Sequence, residues 1–344
     1  MTKVYCIGKG LVTPVGSTPE EVLAAVREGR SVTLFDRSGF KESSFFEAIA
    51  SEAAKKAVEG LEITSRTGFV LSTTKGNIEH IGREDISLAV SAGRIAGSIG
   101  IKTTPIVVSN ACISGVAALL QGMRMIRSGE CDKVVVVGAD VYSEFIHSGF
   151  DCLKALSPEP CRPFDKDRRG LNLGEAAAAM VLAGPEEPSQ WELLDGVIRN
   201  DANHISGPSR TAEGCYKCLR YVMEGVNKEE IAFISVHGTA TPYNDEMESI
   251  ALNRAGLSDV PVNALKGIFG HTMGAAGVLE AIVSMEALEH GIVLPTKGFS
   301  EQGVSFPVNV SATERPVKGN IFIKMLSGFG GVNSAMVFRK GGAI

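Results

Sequence analysis

Residues 105–127 read PIVVSNACISGVAALLQGMRMIR. The stretch opens on β-forming residues and ends on small and apolar residues at helical spacing, with no proline after the first position. The pattern predicts a strand over 105–109, a tight turn, and a helix over 114–127. Cys112 sits in the turn, and its small neighbours Ala111, Ser114 and Gly115 allow a substrate to come close. A thiol just ahead of a helix meets unpaired amides and the positive end of the helix dipole, which favour the thiolate. Most buried cysteines are nonetheless inert packing groups, so Cys112 takes its meaning from what the rest of the chain brings to it.

On both sides of this stretch, apolar β-type runs alternate with helical patterns. Strands are predicted over 3–8, 68–72 and 133–138, the last with four consecutive valines, as in a sheet covered on both faces. Helices are predicted over 18–28, 45–58 and 86–98. The first carries Thr18 as N-cap, Pro19 at N1 and Glu21 at N3. The segment A-G-P-E-E-P-S-Q at 183–190 reads as a linker between one half at 1–185 and a second at 190–344. In the second half, strands are predicted over 191–198, 231–236, 306–310, 321–326 and 335–339, and helices over 211–224, 245–254 and 273–290. Each half holds one helix with little polar face, entered from a glycine- or cysteine-bearing turn, and such a helix must be buried. The expectation is an α/β fold of two similar halves packed in layers around two central helices.

Composition excludes several classes of function. The 344 residues are 44% hydrophobic and 21% charged, which is ordinary globular usage. A net charge of −5 argues against a nucleic-acid binder. No run of 18 apolar residues suggests a membrane span, and the N-terminus lacks the apolar stretch of a signal peptide. Seven irregularly spaced cysteines fit a reducing compartment, and the expected location is cytoplasmic. Cys215 and Cys218 form a lone C-x-x-C without the second pair a zinc site needs, so helix packing is expected there and no metal.

Two histidines stand in settings that suggest chemistry. His237 follows the strand over 231–236, at the sheet edge where α/β proteins bind ligands. The loop after it carries Thr239 and Thr241, whose hydroxyls suit an amide-bearing ligand. Asp245 and Glu248 follow, placed either beside a site or simply as caps of the next helix. His271 lies five residues after Lys266, next to Gly270 and a small-residue helix. Lys266 would by default be a surface residue, yet its loop holds little other charge. Glu280 falls on the inward side of that helix and needs a partner, either Lys266 or a histidine. His80, His147 and His290 have no comparable setting.

Seven segments in order carry a resemblance over nearly the whole chain: K-V-Y-C-I-G-K-G-L-V-T-P-V-G from Lys3, N-A-C-I-S-G around Cys112, R-P-F-D-K-D-R-R-G-L-N-L-G-E-A-A-A from Arg162, D-A-N-H-I-S-G-P from Asp201, H-G-T-A-T-P-Y-N-D-E-M-E from His237, K-G-I-F-G-H-T-M-G-A-A-G-V-L-E from Lys266, and G-F-G-G-V-N from Gly328. Together they resemble the β-ketoacyl-acyl carrier protein synthases, specifically the elongating Cys-His-His group. The resemblance implies the thiolase-like duplicated α-β-α-β-α fold of five layers. It implies decarboxylative condensation of a Cys112-bound acyl group with a malonyl-acyl carrier protein, giving a 3-oxoacyl product in fatty acid, polyene or polyketide synthesis. His237 and His271 would hold the malonyl thioester carbonyl, and the amides of Cys112 and Phe329 would form the oxyanion hole, with Gly328 beside it. Lys266 and Glu280 match a supporting ion pair, and Asp245 and Glu248 match acidic positions beside the site. Thr239, Thr241 and Ser206 match residues around the phosphopantetheine arm, which arrives on the acyl carrier protein, so no resident cofactor is expected. The implied assembly is a homodimer or a heterodimer with a paralogous subunit.

The chain departs from that family by being short, mostly between Gly39 and Thr104. Ile113 replaces a small or polar residue and points to a narrower or more apolar acyl pocket. Ser327 stands where phenylalanine is common, and Met325 where asparagine is. Lys166, Arg168 and Arg169 are candidates for meeting an acidic carrier protein, or else a solvated loop. A degradative thiolase would need a second catalytic cysteine near the C-terminus, and the last cysteine here is Cys218. A non-catalytic chain-length partner would lack Cys112. The remaining alternatives are a malonyl-acyl carrier protein decarboxylase and the catalytic subunit of a ketosynthase/chain-length-factor pair.

Overall fold

One strand order occurs twice in the computed structural model of the chain, which describes residues 2–40, 44–82 and 86–341. In the first unit β1 (Tyr5–Val12), β2 (Thr67–Ser72), β3 (Ile106–Val108), β4 (Lys133–Asp140) and β5 (Ala176–Ala183) lie in the order β3-β2-β4-β5-β1. In the second, β6 (Trp191–Asn200), β7 (Ile231–Ser235) and β8 (Val262–Asn263) join the last two strands of the chain. Those are β11 (Ile321–Gly328) and β12 (Val332–Lys340), and the order is β8-β7-β11-β12-β6. The short β9 (Ile292–Val293) and β10 (Arg315–Pro316) pair apart from both. Counted within its own unit, each order is 3-2-4-5-1, with the first three strands parallel and the rest antiparallel. The units meet edge to edge at Tyr5 and Glu192, where the Leu193 amide also donates to the Val4 carbonyl at 2.9 Å.

Five layers follow from where the helices pack. α1 (Pro19–Arg27) opens the helical part, and its Thr18–Glu21 capping box is formed as its sequence predicts. α2 (Phe45–Ala57) and α3 (Leu88–Ser98) cover the outside of the first unit. α6 (Glu213–Val222) and α7 (Pro242–Arg254) cover the outside of the second. Between the sheets lie α4 (Ser114–Arg127) and α9 (Ala276–Glu289), each touching strands of both units. From Ala276 to Leu288 every residue of α9 is buried, Glu280 and Glu286 included, as a helix with little polar face requires. The two central helices meet at glycines. A Cβ on Gly115 would lie 2.7 Å from the Gly277 Cα, and one on Gly277 would lie 2.5 Å from the Val116 nitrogen. No side chain fits at that crossing. α5 (Glu144–Cys152) and the single-turn α8 (Lys266–Phe269) complete the elements that reach the site.

Several sequence expectations are corrected. The strand expected over 306–310 does not form: Pro307 offers no amide to a ladder, and only Val310 bridges, to Val262. The helix expected over 273–290 begins as a 3-10 turn at Met273–Ala275 before α9. The helix expected from 245 starts at Pro242, with Thr241 as its cap. Helix α5 was not anticipated. The segment at 39–104 supplies α2, β2 and α3, while residues 41–43, 83–85 and the chain ends at 1 and 342–344 fall outside the described residues.

Candidate active site

The Cys112 turn is a bent elbow between β3 and α4. Ala111 adopts φ +45°, a left-handed conformation that costs a non-glycine residue on the order of 1 kcal/mol. Ser114 holds it there: its hydroxyl donates to the Ala111 carbonyl at 2.6 Å and accepts the Asn110 amide at 2.8 Å. The backbone amides of Phe329 and Cys112 act on the Cys112 sulfur in the sense that favours its thiolate. Phe329 lies in the turn between β11 and β12, and Gly328 brings that turn against the elbow. A Cβ at Gly328 would stand 3.1 Å from the Cys112 nitrogen. Burial pushes the Cys112 thiol up to about 11, against the lowering effect of Lys266 and the two amides. The helix start therefore does not produce a resting thiolate, because loss of hydration outweighs the dipole.

His237 and His271 face this sulfur from the other unit. Their rings are 5.2 Å apart and nearly perpendicular. One ligand-type atom from each of Cys112, His237 and His271 lies within 4.8 Å of the others, and all three residues are buried. The His271 Nδ1 accepts the Met273 amide at 3.3 Å, which places its proton on Nε2, and that atom is buried without a partner. The His237 Nδ1 is likewise buried and unpartnered. Burial, reinforced first by Lys266, holds both imidazoles well below their usual range. They are neutral, and the proton on His271 Nε2 is free to serve an incoming oxygen. Sulfur and two imidazoles are a donor set that suits a soft metal ion. The positive lysines described next oppose a cation, and the same three groups equally serve as a nucleophile with two donors.

The loop carrying His237 is fixed by side chains on both of its edges. Glu248 accepts the amides of His237 and Gly238, each at 2.7 Å. Asp245 accepts those of Thr239, Ala240 and Phe164 at 3.1, 3.2 and 2.7 Å. These acids are therefore clamps of the loop rather than caps of α7 or groups facing the sulfur. Burial, with Asp245 adding to it, pushes Glu248 up to about 7. Lys266, expected at the surface by default, is buried at the start of α8; it donates to the His237 carbonyl at 2.7 Å and to Glu280 at 2.8 Å. Glu280 is shared with a second buried lysine, Lys324 of β11. Burial alone would raise Glu280, but Lys266 and Lys324 outweigh it and hold the carboxyl below its usual range. Lys324 was missed in the sequence, although a lysine inside the apolar run I-F-I-K-M-L is a visible signal.

His271 is anchored from the first unit. Its amide donates to the Asn172 carbonyl at 2.7 Å, and its carbonyl accepts the Gly174 amide at 3.0 Å. The Asn172 side chain braces Cys161, and Glu175 takes the Tyr142 and Phe35 amides at 2.7 and 3.0 Å. The long motif from Arg162 is thus scaffold. A second unanticipated group lies behind the histidine: Asp140 pairs with buried Lys75 at 3.0 Å and accepts the Gly274 amide at 2.8 Å. Phe150 of α5 sets its ring against His271 and Phe329, with centroids 6.3 and 5.3 Å away, and roofs the site.

The other predicted residues divide. Thr239 and Thr241 hydrogen-bond each other at 2.8 Å, and Thr241 also caps α7. Ser206 lies in the loop over 201–208, which meets the Phe329 turn where the Gly330 amide donates to the Ile205 carbonyl at 2.7 Å. Ile113 is fully buried in the core shared with α9. Arg168 is spent on the carbonyls of Asp165, Gly303 and Pro242 rather than held out to a partner. Lys166 pairs with Glu301, and Arg169 is exposed. Cys218 donates to the Asn333 carbonyl inside α6 packing.

Residues 60–187 match the family profile described as beta-ketoacyl synthase, N-terminal domain, and residues 192–300 match its C-terminal domain. The 3-oxoacyl-[acyl-carrier-protein] synthase 2 of Vibrio harveyi is 29% identical over 409 aligned residues, covering 98% of both chains. The tetracenomycin polyketide synthase ketoacyl synthase alpha subunit of Streptomyces glaucescens is 31% identical, over 72% of this chain and 62% of that one. Among solved structures, a beta-ketoacyl synthase from Burkholderia phymatum superposes with a TM-score of 0.87 at 25% identity, covering 99% of this chain and all of that one. The ishigamide ketosynthase/chain length factor superposes at 0.85 with 29% identity and the same coverage.

Proposed function

The chain belongs to the β-ketoacyl synthase family, an acyltransferase that makes 3-oxoacyl-acyl carrier protein by condensation, and we propose that Cys112, His237 and His271 divide that reaction between them. The observation that carries this reading is the Cys112 sulfur gathered with one nitrogen from each of two buried, neutral imidazoles within 4.8 Å of one another. In the first step the sulfur attacks an acyl thioester, and the thiol proton leaves on the departing phosphopantetheine thiol. In the second, a malonyl thioester loses carbon dioxide, and the electrons of the broken carbon–carbon bond pass to its carbonyl oxygen. The imidazoles stabilise that oxygen, and His271 does so through Nε2–H. The carbanion then attacks the Cys112 thioester. Its tetrahedral oxyanion sits on the two amides, each worth about 3 kcal/mol. Collapse expels the Cys112 sulfur, which regains a proton from solvent.

No resident cofactor enters these steps. The phosphopantetheine arm comes on the acyl carrier protein and passes Thr239, Thr241 and Ser206. Ile113 and Phe150 bound the acyl pocket. Edge strand β3 (Ile106–Val108) is half-buried and unpaired on one side, which suits addition of a second subunit, a copy or a paralogue, directly beside the Cys112 elbow. No described helix is long and apolar enough to cross a membrane. All seven cysteines are free thiols, which fits a cytoplasmic enzyme. Mass spectrometry after incubation with acyl-carrier proteins tests the reading: an acyl adduct on Cys112 that malonyl-carrier protein lengthens supports it, and no adduct overturns it. An adduct with carbon dioxide release but no lengthening assigns a decarboxylase. Lengthening only after addition of a paralogous subunit assigns the heterodimer.

A further inference from the structure

Lys324 has no part in the steps above, yet its ammonium is tied to the backbone that carries His237. It lies in the middle of β11 between Ile323 and Met325, fully buried. Its three N–H groups lie within reach of four acceptors, the Ser235 carbonyl and hydroxyl at 3.2 Å each, the Val236 carbonyl at 3.1 Å, and Glu280. Lys266 takes the next carbonyl, that of His237, and the other oxygen of Glu280. Three successive carbonyls leading to the imidazole therefore end on two ammonium groups that share one carboxylate. Glu248 grips the amides of His237 and Gly238 on the other edge.

One lysine would have neutralised Glu280. The second is a further buried ammonium, which has no hydrogen-bonded carboxylate of its own and is offset otherwise only by Glu248 at longer range, a costly arrangement in a protein interior. An apolar residue like its neighbours would fill β11 without that cost, so the strand itself does not call for a lysine. We propose that Lys324 is a positioning residue for the condensation: through Glu280 and the Ser235 and Val236 carbonyls it orients His237 and places a fixed positive charge beside it.

The groups around His237 agree with this. Lys266 of α8, Lys324 of β11 and His271 all act to keep its imidazole neutral, on top of burial. Glu280 of α9 lies between the two lysines, while Glu248 and Asp245 of α7 accept backbone amides, and Glu248 offsets part of the Lys324 charge. Burial brings Lys324 itself down to about 8, which leaves it protonated at neutral pH. A neutral imidazole keeps one N–H with which to donate to the malonyl thioester oxygen and adds no further positive charge to the two lysines.

The inference rests on the reading of His237 and His271 as donors to that oxygen, and its test separates the two half-reactions. Lys324→Met and Lys324→Gln are compared with the unaltered chain for acyl attachment to Cys112 and for carbon dioxide release from malonyl-carrier protein, each across pH. Lys324→Met is expected to slow carbon dioxide release about 10- to 100-fold while attachment stays within about threefold. Removing the cation raises the His237 pKa, so the acidic limb of carbon dioxide release moves to higher pH. Lys324→Gln keeps a donor for the carbonyls, recovers part of the rate and retains the shifted limb. It carries the test alone if thermal melts show that Lys324→Met does not fold. Equal loss in both half-reactions with an unmoved limb, or no change in either, overturns the inference alone. An unaltered chain that accepts acyl groups yet releases no carbon dioxide overturns the reading of the histidines, and the inference with it.

Discussion

Helices α4 and α9 hold the same place in the two halves and cross at Gly115 and Gly277, yet they serve the site by different means. The buried face of α4 carries no charge, and the helix contributes its first turn: an elbow at Ala111, a serine that locks it, and a sulfur among backbone amides. α9 contributes a carboxylate from its second turn, fully enclosed and shared by lysines from two other elements. In the proposed reaction one copy of the motif holds the acyl group by backbone geometry. The other manages charge in a dry interior, where each ion must be answered by another.

The largest expected effect breaks the two roles apart. Cys112→Ala should abolish the acyl adduct, whereas His271→Ala should keep the adduct and lower carbon dioxide release from malonyl-carrier protein by about 10²–10³-fold. Adduct mass and released carbon dioxide read the two steps separately. Equal loss of both in each variant would show that the halves do not divide the work.

A stability measurement sharpens the charge side. Glu280→Gln strands two ammonium groups together in the interior and should cost about 3–5 kcal/mol, read by urea unfolding. A cost below about 1 kcal/mol would mean that the lysines are neutral or hydrated, since an uncompensated buried charge does not come so cheaply.

The smallest effect concerns the nucleophile side. With the Cys112 thiol pushed up to about 11, its alkylation by iodoacetamide should rise with pH throughout the range below that value. The expected slope is about tenfold per pH unit, since the thiolate is the reactive form. Peptide mapping distinguishes it from exposed Cys152. A plateau near the ordinary thiol range would show that the elbow amides and Lys266 outweigh burial.

Much of the nucleophile side was legible along the chain because its causes are local. A proline-led β run, a turn of small residues and an apolar helix are each encoded within a few positions, and so are the capping box at Thr18 and the buried character of α9. The charge side was only half legible. Glu280 announced that it needed a partner, but Lys324 comes 44 residues later in the chain. Asp245 and Glu248 read equally as helix caps, because nothing local says that their oxygens point back to the amides of the loop over 237–240. Phe150, Lys75 and Asp140 gave no signal at all, since each acts on residues more than sixty positions away in sequence.

By itself, then, the sequence determined the alternation of strands and helices and the duplicated layering, and it singled out Cys112, His237 and His271, which the fold brings together, because hydrophobic period, turn chemistry and motifs are read along the chain. Tertiary structure alone decided that the thiol rests protonated, that two acids clamp a loop instead of facing the sulfur, and that one carboxylate is shared by two lysines. Those outcomes depend on desolvation and on which charges burial forces together, and both exist only once β7, β11, α8 and α9 have packed.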